Sequence, residues 1–108
     1  MTAINITAPA RKDIDRLLAL SLKSFGETAS DRYRSLVLRG LITIRDDPKG
    51  PKVRTLNLAR QDVLSLHLRS IQSQVRRPRH RLIYTVDNET VIVLRVLHDR
   101  MDLNAAFS

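Results

Sequence analysis

Val91-Ile92-Val93-Leu94-Arg95-Val96-Leu97 is apolar throughout except at Arg95. A strand that is apolar on both faces belongs inside a sheet, with a neighbour on either side. Just before it, Asp87-Asn88-Glu89 has the composition of a tight hairpin turn. The strand leading into that turn alternates Leu82, Tyr84 and Val86 with Arg81, Ile83, Thr85 and Asp87. One strand earlier, Leu64, Leu66 and Leu68 alternate with Ser65, His67 and Arg69, the pattern of a half-buried strand. Ser73 to Arg79 joins these two as a basic turn containing Pro78.

The first half of the chain changes period. Ile4 and Ile6 alternate with Asn5 and Thr7 as a short strand. Thr7 is placed to cap a helix, and Pro9 is tolerated in a first turn because its missing N–H has no helical partner there. Ala10, Ile14, Leu17, Leu18, Leu22 and Phe25 recur on one helical face, and Gly26 stops the helix. A second helix is expected from a cap at Thr28, with Ala29, Tyr33, Leu36, Val37, Gly40, Leu41 and Ile44 inward and Asp46-Asp47-Pro48 as its end. Gly40 inside a helix costs about 1 kcal/mol against alanine, and close approach of the first helix is the expected return. The short connection makes the pair an antiparallel hairpin. Asp47 to Gln61 reads as a long loop with breakers at Pro48, Gly50 and Pro51; within it, Val53 to Leu58 has a weak extended pattern.

The resulting order is strand, helix hairpin, then three strands. That is an α+β fold, with an antiparallel helix hairpin packed on a mostly antiparallel sheet, β-α-α-β-β-β, as one domain over 1–108. Period two then sorts side chains by face. Leu64/Leu66/Leu68, Leu82/Tyr84/Val86 and Ile92/Leu94/Val96 should meet the helices. The opposite face should gather His67, Arg69, Arg81 and Arg95, with Arg79 at its edge. For Arg95 two readings stand level: a binding residue, or the partner of a carboxylate such as Asp99 or Asp102.

The chain has 108 residues and a net charge of +8. Val63 to Val86 contains no acidic residue but holds Arg69, Arg76, Arg77, Arg79 and Arg81, so it carries +5 of that charge. An unbalanced arginine stretch points to a polyanion or an acidic protein as partner. Aromatic residues are too few for a general single-strand binder that stacks bases. With no cysteine and three scattered histidines, a zinc site is not expected, nor any other cofactor. There is no Gly-rich phosphate loop, membrane span or signal-peptide pattern, so a cytoplasmic protein is expected.

Arg95-Val96-Leu97-His98-Asp99-Arg100-Met101-Asp102 closely resembles the C-terminal signature of ParE-like toxins in the ParE/RelE toxin–antitoxin superfamily. Arg77-Pro78-Arg79-His80-Arg81-Leu82-Ile83-Tyr84 resembles the strand that leads into it, and Phe25-Gly26, Ala29, Tyr33 and Asp47-Pro48 agree at the family's spacing. The resemblance covers nearly the whole chain and is weakest from Lys49 to Asp62. It implies a small basic toxin held by a ParD-like antitoxin, whose C-terminal segment is disordered when free and wraps the toxin. Operator DNA would be contacted only through the antitoxin.

Three functions follow, in order of preference. The first is a poison of DNA gyrase that binds without chemistry of its own, through Arg69, Arg77, Arg79, Arg81, Arg95 and Arg100. The second is a ribosome-dependent mRNA endoribonuclease, as in RelE-type relatives. It would use Arg69, Arg81 and Arg95 as cations and His67 or His98 for proton transfer. His98 falls by parity with the helix-facing set and suits a structural histidine better than a base. Phe107 stands where a ribonuclease relative often has tyrosine, which weighs against cleavage. The third is a plain nucleic-acid binder. Antitoxin contacts are expected at Leu20, Leu38 and Ile42, apolar residues beyond the main helical stripes, and at Arg16 and Arg34.

Overall fold

The computed structural model describes residues 3–58 and 61–106. Its elements are β1 (Ala3–Ile6), α1 (Ala8–Phe25), α2 (Glu27–Asp46), β2 (Arg54–Leu58), β3 (Gln61–His67), β4 (His80–Asp87), β5 (Thr90–His98) and a short α3 (Leu103–Ala106). The five strands form one sheet in the order β1-β5-β4-β3-β2. Only β1 and β5 are parallel; the other pairs are antiparallel. The doubly apolar strand is therefore internal, flanked by β1 and β4, as its sequence requires.

Local chemistry explains the first elements. The Thr7 hydroxyl accepts the Ala10 N–H at 3.3 Å and lies 2.9 Å from the Val93 carbonyl, to which it donates. One side chain thus caps α1 and ties its start to β5. The helices are joined by Gly26 alone, at φ 92°. The expected cap at Thr28 is displaced accordingly, and α2 begins at Glu27. A one-residue connection with positive φ is available cheaply only to glycine.

Ala10, Leu17, Leu36, Val37 and Ile44 from the helices pack on Leu66, Leu68, Leu82, Tyr84, Val91, Val93 and Val96 from the sheet side. Leu22 and Phe25 do not join them, contrary to the continuous stripe expected; Phe25 is 78% exposed. The buried positions of α1 end at Leu17, and its last turns run beyond them. Gly40 faces the sheet rather than α1. A Cβ there would lie 2.7 Å from Leu68 Cδ2 and 3.1 Å from Leu82 Cδ1. Tyr84 is fully buried and donates its hydroxyl proton to the Pro48 carbonyl at 2.6 Å, anchoring the start of the long loop to the core. That loop is interrupted by β2, so the sheet has one strand more than the three expected after the helices.

The face assignment holds for β3 and β4 and fails for part of β5. Ile83 pairs with Arg95 but Tyr84 pairs with Val93, so Leu94 is an extra residue. Such a bulge reverses the side-chain parity on one side of it. Val91 and Val93 therefore face the helices in place of Ile92 and Leu94. Leu94 joins a second, smaller cluster of Val63, Ile83 and Leu97 on the other face, covered by Leu103 and Ala106 of α3.

Candidate interaction site

Beyond the buried part of α1, the helix hairpin, the loop before β4 and the ends of β4 and β5 enclose a groove of about 940 Å³. Three of its ring side chains, from three elements, are in mutual contact: Tyr33, His80 and His98. The Arg79 N–H donates to the Tyr33 hydroxyl at 3.0 Å, which leaves the phenolic proton for His80 Nδ1 at 2.7 Å. That assigns the neutral His80 proton to Nε2. His80 meets Tyr33 and His98 edge to face, at centroid separations of 5.4 and 5.0 Å. Burial, and next the neighbouring His98, push the His80 pKa down to about 4, so the ring is neutral near pH 7. Burial also raises the Tyr33 phenol above its ordinary value, against the backbone N–H of Arg79.

The groove's apolar wall includes Leu17, Leu20, Phe25 and Met101. Leu20 is 58% and Met101 44% exposed. Arg16, Arg32, Arg76, Arg77 and Arg79 also line it, against Asp13 as the one carboxylate in the lining. Asp13 is already engaged. Its carboxylate accepts Arg95 Nε at 2.7 Å, Arg95 Nη2 at 3.0 Å and the Val96 N–H at 2.9 Å. Asp13 holds the Arg95 pKa above its usual value. The groove thus combines an apolar wall with a cationic border, the chemistry that suits an acidic amphipathic segment.

On the outer face of the sheet, His67 and Arg81 are cross-strand neighbours. His67 Nδ1 accepts the Arg69 N–H at 3.1 Å, and Nε2 lies 2.7 Å from Asp99 Oδ1. The ring therefore carries its proton on Nε2 and donates it to Asp99. Partial burial raises the Asp99 pKa, but the His67 hydrogen bond, with Arg81 and His98 nearby, outweighs it and holds the carboxyl below its ordinary range. His98 repeats the local pattern, with Nδ1 accepting the Arg100 N–H at 3.0 Å. In both His-x-Arg stretches, His67 to Arg69 and His98 to Arg100, the histidine Nδ1 thus accepts the arginine N–H two residues on.

The expected cationic face is dispersed. Arg81 is half-buried beside His67, as expected. Arg69 is exposed, but on a 3-10 turn at Leu68–Ser70 rather than on the strand. Arg95 leaves the group altogether for Asp13 on α1, and not for Asp99 or Asp102. Arg77 and Arg79 border the groove, and Arg100 is exposed after β5. Of the expected antitoxin contacts, Leu20 and Arg16 line the groove. Arg34, Leu38 and Ile42 are exposed at four-residue spacing on α2, outside the groove lining. Phe107 lies outside the described residues. Among the described residues, no group of three or more histidine or acidic side chains is placed to hold a metal ion.

Sequence reasoning missed Asp13, Tyr33 and Phe25 as site residues. Asp13 had a signal of a kind: it lies three residues after Ala10 and four before Leu17, on the inward face of α1, where a carboxylate needs a buried partner.

A family model described as ParE toxin of type II toxin–antitoxin system, parDE, matches residues 4–103. Comparison with curated proteins finds no match. Among solved structures, a copper-bound mutant toxin from Helicobacter pylori aligns with TM-score 0.61 and 23% identity, over 91% of this chain and 94% of that one. The chromosomal ParDE toxin–antitoxin system from P. aeruginosa aligns with TM-score 0.59 and 15% identity, over 91% and 96%. The toxin–antitoxin complex RelBE2 from Mycobacterium tuberculosis aligns with TM-score 0.60 and 22% identity, over 90% and 96%. At these identities the structures speak for the fold, while the family match spans nearly the whole sequence: the chain belongs to the ParE toxin family of type II toxin–antitoxin systems.

Proposed function

We propose that this toxin acts in the cytoplasm by binding and inhibiting DNA gyrase, and that a ParD-like antitoxin neutralises it by filling the groove. The observation that carries the binding-only reading is the state of His67. Both of its ring nitrogens are committed, one to the Arg69 N–H and one to Asp99. Its lone pair is therefore not available to take a 2′-hydroxyl proton. Arg95, the third cation a nuclease would use, is held by Asp13. The exposed Arg69, Arg77, Arg79 and Arg100, with Arg81, remain as separate contacts for an acidic target. For the antitoxin, Leu20 and Phe25 offer apolar purchase and Arg16 and Arg77 offer charge, all on one groove.

One observation favours the endoribonuclease as a second reading: His67, Asp99 and Arg81 form a histidine–carboxylate–arginine group on one face. The deciding experiment pairs a gyrase supercoiling assay with an mRNA cleavage assay on ribosomes, using antitoxin-free protein. Inhibited supercoiling with intact mRNA is the expected result. Cleaved mRNA with normal supercoiling would replace the first reading by the second.

A further inference from the structure

A second, smaller cleft runs along α2. It is lined by Arg32, Ser35 and Arg39 on the helix and by Gln72, Ser73 and Gln74 on the facing loop. Its volume is about 560 Å³. Two features set it apart from the groove. Its lining is almost wholly polar side chains, with Leu36 as the apolar exception, and it contains no carboxylate. It also shares Arg32 and Gln74 with the groove, so the two depressions meet at those residues.

Arg32 and Arg39 are seven residues apart, which is two helical turns on the same side of α2. Both are exposed, and neither takes part in the ion pairs found among the described residues. Arginines left without a carboxylate on a concave surface suit an incoming acidic group, whose charge-assisted hydrogen bonds are stronger than neutral ones. The glutamines and serines beside them both donate and accept, which matches a peptide backbone better than a phosphodiester chain. Continuity with an apolar groove argues for the same occupant, because a nucleic acid has no aliphatic face to fill that groove.

We propose that this cleft receives the acidic end of the antitoxin segment whose apolar part lies in the groove, with Arg32 at the junction and Arg39 as the outer anchor. This rests on the groove being the antitoxin's seat. It adds a direction: the segment runs from apolar to acidic as it leaves Leu20 and Phe25 and passes along α2. It also sets a spacing. Two acidic residues about 10 Å apart would meet the two arginines, seven positions apart in a helix or three in an extended chain.

The chain has no cysteine, so Ser35→Cys supplies a single thiol on the exposed side of α2. The probe is the cognate antitoxin, and the readout is the rate at which a maleimide modifies that thiol. Saturating antitoxin should slow modification in proportion to the fraction of toxin bound. In parallel, Arg39→Gln should weaken the complex by about tenfold and reduce its salt dependence. A tight complex in which the thiol reacts at the free rate, or in which Arg39→Gln binds normally, overturns the cleft and leaves the groove standing. Failure of the unmodified toxin to bind the antitoxin removes the proposed neutralisation itself. Protection by a short duplex DNA or RNA but not by the antitoxin would assign the cleft to nucleic acid, against the proposal. Both substitutions lie at exposed positions, and coincident urea unfolding curves check that the variants remain folded.

Discussion

Asp13 on α1 and Arg95 on β5 form a two-pronged carboxylate–guanidinium pair, and the same carboxylate accepts the Val96 N–H. Asp13 is 7% exposed, so its charge depends on these partners. The pair holds the helix to the strand where Leu94 bulges out, and the bulge in turn lets both Arg95 and Val96 address the helix layer. Removing one partner leaves the other charge poorly paired in a partly dry setting. Asp13→Asn should therefore cost roughly 3 kcal/mol in urea unfolding at neutral pH. Replacing both partners by apolar residues, Asp13→Leu with Arg95→Met, should cost less than Asp13→Leu alone. Additive losses in that cycle would mean the pair is not a coupled unit.

Gly40 sets two known effects against each other. Alanine gains about 1 kcal/mol of helix propensity there. Its Cβ would sit 2.7 Å from Leu68 Cδ2 and 3.1 Å from Leu82 Cδ1, both side chains fully buried. Overpacking a close-packed core costs about 1–3 kcal/mol. Gly40→Ala should therefore lower stability by about 1 kcal/mol, shifting Tm down by about 4–8 °C. A raised Tm would show that Leu68 moves aside without strain.

The hairpin turn between β4 and β5 has φ of 48° at Asn88 and 66° at Glu89. Positive φ at both central residues is the two-residue turn that matches strand twist, and Asn-Gly is its preferred sequence. Glu89 carries a Cβ in a region that glycine, which has none, occupies without penalty. Glu89→Gly should stabilise the protein by about 0.5–1 kcal/mol. Asn88→Gly should change it much less, because asparagine already tolerates this region.

These relationships mark where sequence pattern informs and where it stops. Strand alternation in Leu64 to Leu68 and Leu82 to Val86 was legible because one face is buried and the period is two. The internal position of β5 followed from Val91 to Leu97 being apolar on both faces. The bulge at Leu94 was not legible, since one inserted residue leaves no mark on composition yet reverses the faces of Val91 to Leu94. The groove was hidden for a related reason. Leu20 stood out as off the stripe, but Phe25 continued it, and only the hairpin's reach beyond the core turns Phe25 outward. Tyr33 falls on the apolar stripe of α2 and so reads as a core residue; its hydroxyl contact with His80 joins residues 47 positions apart.

Acid should act on the groove before it acts on most of the core. The His80 pKa is near 4 in the fold, against about 6.5 in an unfolded chain. Between those values the unfolded state binds more protons, so stability falls as the pH drops from about 6.5 to about 4, and this residue adds no further loss below that. Tyr33 and His98 touch the ring; Asp99, His67 and Asp13 act on it through their charge, and the two carboxylates oppose the shift. Asp99, with its own pKa lowered, also loses its contribution toward acid, but only as the pH falls through the carboxylate range. His80→Gln should flatten the upper part of the pH–stability curve, and Asp99→Asn the lower part. Parallel curves for His80→Gln and the parent protein between pH 6.5 and 4.5 would contradict this.

The proposed mode of toxicity predicts an asymmetry between His67 and the arginines. If the protein acts by contact alone, His67→Gln should leave gyrase inhibition within about threefold, less than the 0.7 kcal/mol that such a ratio represents. Glutamine can still accept the Arg69 N–H or reach Asp99, so the turn is partly preserved. Arg79→Glu and Arg100→Glu reverse exposed charges and should each weaken inhibition by about tenfold, mainly through a slower association that added salt mimics. A nuclease would respond the other way, with His67→Gln abolishing mRNA cleavage and single exposed arginines mattering less. Measuring all three variants in the supercoiling and ribosome assays together therefore separates the two modes by their pattern as well as by which substrate is affected.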